Sequence, residues 1–102
     1  MTNPILSIII VSYNTADITI DCLKSIIADK GLKEYSCEII IVDNNSKDDS
    51  LKKIESFKKS LKIENWNLKI ISNNYNAGFG KANNQGLKIA TGNYILFLNS
   101  DT

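Results

Sequence analysis

Histidine and arginine are both missing from the 102-residue chain, proline occurs once, and only two cysteines are present. Without histidine, these residues hold no histidine general base, no Ser/His or Cys/His nucleophilic pair and no Cys/His zinc site. A metal here would be held by oxygen. Cys22 and Cys37 are too far apart for a CxxC pair, and a chain of this length builds a core without disulfides. Reduced cysteines fit the cytoplasm, and a peripheral position at the inner membrane face would leave no mark on the sequence. No charge of one sign dominates either: 12 lysines face 11 acidic residues, for a net charge of +1. That balance lacks the basic footprint of a nucleic-acid binder. The all-lysine basic set is ascribed to genome base composition and carries no function. Long hydrophobic runs are also missing. The apolar segment 5–11 is broken by Ser7, follows no basic region and precedes no cleavage-type small residues, so it reads as a strand.

What is present, 43% hydrophobic and 23% charged residues, is ordinary for one globular domain. No Pro/Gly/Ser linker, repeat or low-complexity tract interrupts it. Apolar β-branched runs predict strands at 5–11, 38–42, 67–71 and 93–98. The first, second and fourth are nearly continuous, as expected where both faces are covered. Helical spacing lies between them. The first helix starts at Asn14 or Thr15, turns Ile18, Cys22, Leu23, Ile26 and Ile27 inward, and stops at Gly31. The second opens on Ser46 and Asp49 in a capping-box-like arrangement. It buries Leu51, Ile54, Phe57 and Leu61, and exposes Lys52, Lys53, Lys58 and Lys59 as a solvated face. The third runs from Gly80 to Thr91, with Ala82, Gly86 and Ala90 spaced for close approach to the sheet, and ends at Gly92. The fold class is therefore α/β: a doubly wound, mostly parallel sheet with helices on both faces.

Ligands of such sheets bind outside the carboxyl ends of the strands. All four ends turn polar: Ser12-Tyr13-Asn14, Asp43-Asn44-Asn45-Ser46, the stretch 73–78, and Asn99-Ser100-Asp101-Thr102. Asn and Ser also serve ordinary turns. A dinucleotide fingerprint is absent, because Ser-Tyr-Asn-Thr-Ala-Asp stands where GxGxxG should follow the first strand. The Gly78-Phe79-Gly80-Lys81 segment is not a P-loop, since Ala82 follows the lysine. An acidic pair at the first strand's end, needed for receiver-type phosphotransfer, is missing as well. Two carboxylates remain. Asp43 suits either a nucleobase N–H, with Tyr13 packed beside the ring, or the capping of the second helix. Asp101 suits either a hard divalent cation or a simple strand end. Gly78 and Gly80 suit either a ligand-bordering loop or a plain bend.

The segments IIIVSYN, EIIIVDNNSKDDS and NYNAGFGKANNQGLKIATGNYILFLNSDT, in this order, resemble family 2 glycosyltransferases of the GT-A fold. They are nearest to the bacterial rhamnosyltransferase-like members. The likeness spans essentially residues 1–102. It implies a sheet of order 3-2-1-4 and a site for a nucleoside-diphosphate sugar, UDP- or dTDP-linked. By resemblance, Ser12, Tyr13 and Asn14 contact the nucleoside, and Asp43 accepts from the pyrimidine N3–H. Asn76, Gly78 and Asn84, with Lys81, border the ribose and diphosphate. The family's Asp-x-Asp motif reads Asn99-Ser100-Asp101 here. The resemblance therefore implies Asp101 as the metal residue, for Mn²⁺ or Mg²⁺, with Asn99 reaching the sugar or ribose.

The implied activity is transfer of the sugar, with inversion, to an acceptor hydroxyl of a saccharide or lipid-linked acceptor in surface polysaccharide or glycolipid synthesis. The catalytic base is expected beyond Thr102, so the chain is expected to be the donor half of a truncated GT-A domain, inactive alone. An open fourth strand is expected to drive self-association. The competing expectation is a non-catalytic nucleotide-binding or interaction module.

Overall fold

The computed structural model describes residues 4–28, 35–61 and 66–99. Strands and helices alternate as β1 (Leu6–Ser12), α1 (Ala16–Ile27), β2 (Cys37–Asp43), α2 (Ser50–Ser60), β3 (Trp66–Ser72), α3 (Phe79–Ile89) and β4 (Tyr94–Asn99). The four strands form one parallel sheet of order β3-β2-β1-β4. Each expected strand is found within one residue of its predicted bounds.

Strand alternation splits the isoleucine runs between two cores. Ile8, Ile10, Ile39 and Ile41 pack toward Ala16, Leu23 and Ile54 of α1 and α2. Ile9, Ile40 and Val42 pack toward Ala82 of α3. Each fully buried isoleucine contributes about 2 kcal/mol of transfer free energy. On α3 the small residues do what their spacing predicts. A Cβ on Gly86 would stand 2.7 Å from Cγ2 of Ile9, so only glycine lets the helix lie this close. The lysines of α2 are exposed as expected, and Lys53 bridges Asp17 at 3.3 Å and Asp49 at 3.7 Å. Cys22 and Cys37 are free and buried, and burial pushes both thiols up.

Three expectations need correction. Ile18 is 48% exposed; α1 instead buries Ala16, Thr19, Cys22 and Leu23. The helix is rotated because Thr19 joins a hydroxyl cluster, its Oγ1 lying 3.4 Å from Ser12 Oγ and 3.5 Å from Thr15 Oγ1. Ser46 and Asp49 form no capping box, and no side chain caps α2 at Asp49. Ser46 is committed to Asp43, while the Ser50 backbone N–H donates to Asp48 Oδ1 at 2.9 Å. Finally, β4 is not covered on both faces among the described residues, with Tyr94, Leu96 and Phe97 70%, 43% and 49% exposed. Among the described residues the strand pairs only with β1. The predicted helix stop at Gly31 lies outside the described residues.

A buried carboxylate ties β4 to the sheet. Glu38 Oε2 accepts from Ser7 Oγ at 2.7 Å, from the Thr91 backbone N–H at 2.6 Å and from Thr91 Oγ1 at 2.8 Å. Glu38 Oε1 lacks a well-directed hydrogen bond and is met by the Lys69 ammonium at 3.0 Å. Burial alone would raise this carboxyl, but the Thr91 N–H, the two hydroxyls and Lys69 outweigh it and bring the pKa to about 2. Gly92 then passes against Ser7, its N–H donating to Ser7 Oγ at 2.8 Å. No described helix is long and apolar enough to cross a membrane.

Candidate functional site

Parallel pairing brings the strand ends to one edge. Ser12 stands opposite Asp43, Asp43 opposite Ser72, and Val11 opposite Asn99. The ladder continues past the strands, with Asn44 N donating to Ser12 O at 2.8 Å and Asn73 N to Asp43 O at 2.9 Å. The loops after β1, β2 and β3 therefore leave the sheet side by side. Three of the four polar strand ends expected to converge do so, and of the fourth, residues 100–102 lie outside the described residues.

Its residues divide into presented and buried groups. Tyr13 is 40% exposed, and Asn14, Asn76, Gly78, Lys81 and Asn84 are exposed too. Ser12 is buried, its hydroxyl turned toward Thr15 Oγ1 at 3.2 Å. Asp43 is 2% exposed. Its two oxygens accept from the Ser46 hydroxyl and from the Ser46 N–H, the latter at 3.1 Å. Each carboxylate oxygen retains a second acceptor position. Asn99 closes β4 on the same edge, and Asp101 lies outside the described residues.

The first two loops interlock through Asn14. Its backbone N–H donates to Ser46 Oγ at 2.9 Å, and its Oδ1 accepts from Lys47 N at 2.7 Å. Both Asn14 (φ 54°) and Asn45 (φ 66°) hold left-handed backbone, which Asn tolerates best among residues with a Cβ. Beside them an open groove of about 230 Å³ runs between the start of α1 and the loop before α2, lined by Asn14, Asp17, Asp48 and Lys53 among others.

The third loop hangs on a set of amides. Asn44, 3% exposed, accepts at Oδ1 from Ala77 N (2.9 Å) and Asn73 Nδ2 (3.2 Å), and its Nδ2 donates to Asn76 Oδ1 (3.0 Å). Asn76 Oδ1 also accepts from Gly78 N at 2.9 Å. Asn73 and Gln85 exchange reciprocal amide bonds of 2.8 and 3.0 Å, fastening the loop to α3. Gly78 opens the helix at φ 85°, a conformation glycine adopts without strain, and its carbonyl accepts the first helical bond from Ala82 N at 3.1 Å. The first-turn N–H groups of residues 79–81 have no intrahelical acceptor, so the N-terminal start of α3 is suited to an anion.

Among the described residues, no group of three or more His, Cys, Asp or Glu stands together to hold a metal ion. The described part of the rim therefore does not by itself fit a divalent cation. Asn44, Asn73, Gln85 and Ser46 were not singled out as site residues by sequence reasoning. The density of Asn at the strand ends was the available signal, but which amide meets which depends on loops far apart in sequence.

The family model for glycosyl transferase family 2 matches residues 7–102. A poly(ribitol-phosphate) beta-glucosyltransferase of Bacillus spizizenii is 39% identical over 97 residues, covering 94% of this chain and 14% of that protein. The beta-1,3-glucosyltransferase WfaP of Escherichia coli, described as acting on alpha-D-GlcNAc-diphosphoundecaprenol with UDP-Glc, is 40% identical over 95% of this chain and 35% of its own length. Among solved structures, residues 1–349 of Staphylococcus aureus TarS in complex with UDP-GlcNAc match with a TM-score of 0.79 and 31% identity, over 95% of this chain and 26% of that one. A Pyrobaculum calidifontis mannosyltransferase, solved with GDP-Man and Mn²⁺, shares the fold at a TM-score of 0.84 and 21% identity, over 99% and 28%. The chain thus spans well under half the length of these relatives.

Proposed function

Because the chain belongs to glycosyltransferase family 2 and has the GT-A architecture, we propose that its polar rim binds the nucleoside diphosphate of an activated sugar. The observation that carries this reading is the 31% identity and shared fold with the TarS structure bound to UDP-GlcNAc. In the proposed complex Tyr13 lies along the base, and Asp43 accepts the pyrimidine N3–H on an acceptor position left by Ser46. Ser12 acts from below, ordering Thr15 and the entry of α1 rather than touching the nucleoside. Asn14 contributes its amide nitrogen. Asn76, Gly78, Lys81 and Asn84 flank the ribose and diphosphate, where the start of α3 and the Lys81 ammonium offset phosphate charge. Asn99 is assigned to the sugar or ribose by its place in the Asn99-Ser100-Asp101 motif.

The proposed reaction is inverting transfer of the sugar to a hydroxyl of a saccharide or lipid-linked acceptor in surface polysaccharide or glycolipid synthesis, on the cytoplasmic side of the membrane. UDP- and dTDP-sugars are the proposed donors, since both bases present the same N3–H. Asp101 is the proposed residue for Mn²⁺ or Mg²⁺, and such a cation would supply charge neutralisation on the departing diphosphate. Its assignment rests on its position in the Asn99-Ser100-Asp101 motif.

The test is an NMR titration of the chain with UDP, dTDP and GDP, with and without Mg²⁺ or Mn²⁺. Shifts at Tyr13, Asp43 and Gly78 with UDP or dTDP, and Mn²⁺ broadening that reaches Asn99 and is lost in Asp101→Ala, are expected. A folded sample whose spectrum ignores all three nucleotides would overturn the proposal.

A further inference from the structure

We infer that Asn44, which does not itself reach the rim surface, is the positioning residue for the Asn76 and Gly78 segment, and so sets affinity for the diphosphate but not for the base. The inference rests on the nucleotide-binding reading above. Its geometric basis is the way two backbone donors dictate the orientation of two side-chain amides. Ala77 N must donate, which turns Asn44 Oδ1 toward it and leaves Nδ2 for Asn76. Gly78 N must also donate, which turns Asn76 Oδ1 toward it. The same Asn76 oxygen receives Asn44 Nδ2. The result is a relay in which a buried amide on the β2 loop fixes the side chain of Asn76 and the backbone of Ala77, and through them the left-handed Gly78 that starts α3.

Only asparagine serves both directions at this reach. Aspartate would still accept from Ala77 N and Asn73 Nδ2, but it has no donor for Asn76. Asn76 would then flip its amide to present Nδ2 to the carboxylate, and Gly78 N would lose its acceptor. Alanine removes both directions. Neither change strips the loop from the fold, because Asn73 and Gln85 hold it to α3 independently. Tyr13 and Asp43, which face the base in the proposed complex, make no hydrogen bond to the Asn44 side chain.

The test measures UDP and uridine affinities of the chain and of its Asn44→Ala and Asn44→Asp variants, with amide shifts of Ala77 and Gly78 recorded free of ligand. With its three side-chain hydrogen bonds lost in Asn44→Ala, Asn76 and the Ala77–Gly78 backbone are no longer held, and UDP affinity should fall about tenfold. Uridine, which meets this segment through its ribose alone, should weaken by a clearly smaller factor, and in Asn44→Asp the Gly78 amide shift should move while the rest of the spectrum stays folded. Equal losses for UDP and uridine, or no loss for UDP, would overturn the role of Asn44. No binding of either ligand by the unsubstituted chain would instead overturn the nucleotide reading, and the role with it. Should Asn44→Ala fail to fold, the isosteric aspartate variant alone decides.

Discussion

Glu38 shows how much one side chain can hold in a small sheet. It is 1% exposed, yet it serves three donors and a lysine from three other segments of the chain. Its folded pKa of about 2 lies below its ordinary value of 4.5, so the folded state is favoured by ionisation. That contribution is complete above pH 4.5 and drains away as pH falls toward 2. The gap corresponds to about 3 kcal/mol. Thermal unfolding of the chain and of Glu38→Gln between pH 5 and 2 checks this. The unsubstituted chain should lose stability over that window more steeply than the variant, and parallel curves would contradict the assignment. At the rim, Asn14 and Asn45 show a different economy, since each combines left-handed backbone with a polar side chain in a loop that must turn sharply.

At the scale of the element, α3 is the informative case. Its spacing of Ala82, Gly86 and Ala90 announced a helix lying close to the sheet, and Gly86 sits against Ile9 and Ile40 as that spacing requires. Gly86→Ala should gain about 1 kcal/mol of helix propensity and lose about 2 kcal/mol or more to overpacking, for a net destabilisation. Gly80→Ala, on the same helix with nothing within 4 Å of the added Cβ, should be neutral or stabilising. Urea unfolding of the pair separates packing from propensity, and equal effects would mean that the contact with Ile9 relaxes freely. Helix α1 is the instructive miss. Its hydrophobic residues allowed a face through Ile18, but Thr19 is buried because partner hydroxyls on Ser12 and Thr15 satisfy it, and residue-by-residue hydrophobicity does not report partners.

For the whole molecule, β4 sets the behaviour. Paired with β1 alone among the described residues, it presents Tyr94, Leu96 and Phe97 to solvent beside a free edge. Exposed apolar edges pair readily, so the chain should self-associate at high micromolar concentration, and Leu96→Lys with Phe97→Lys should return it to a monomer. Sedimentation velocity decides this, and a monomeric unsubstituted chain would refute it. The strand runs, their alternation with helices and the polar residues after every strand were legible in the sequence, because period and composition are local properties. The position of the rim along one sheet edge followed from parallel pairing alone. What only the tertiary structure decided is which rim side chains are exposed and which are buried within the loops. Asp43 and Ser12 turned out to be buried and bonded inside the loops, Asn44 became the hub of the third loop, and Glu38 became the anchor of β4. For Asn44 and Glu38 the deciding hydrogen bonds span 33 and 53 positions, which the fold sets and spacing along the chain does not, whereas Ser12 and Asp43 bond residues three positions on and are buried where neighbouring loops pack over them.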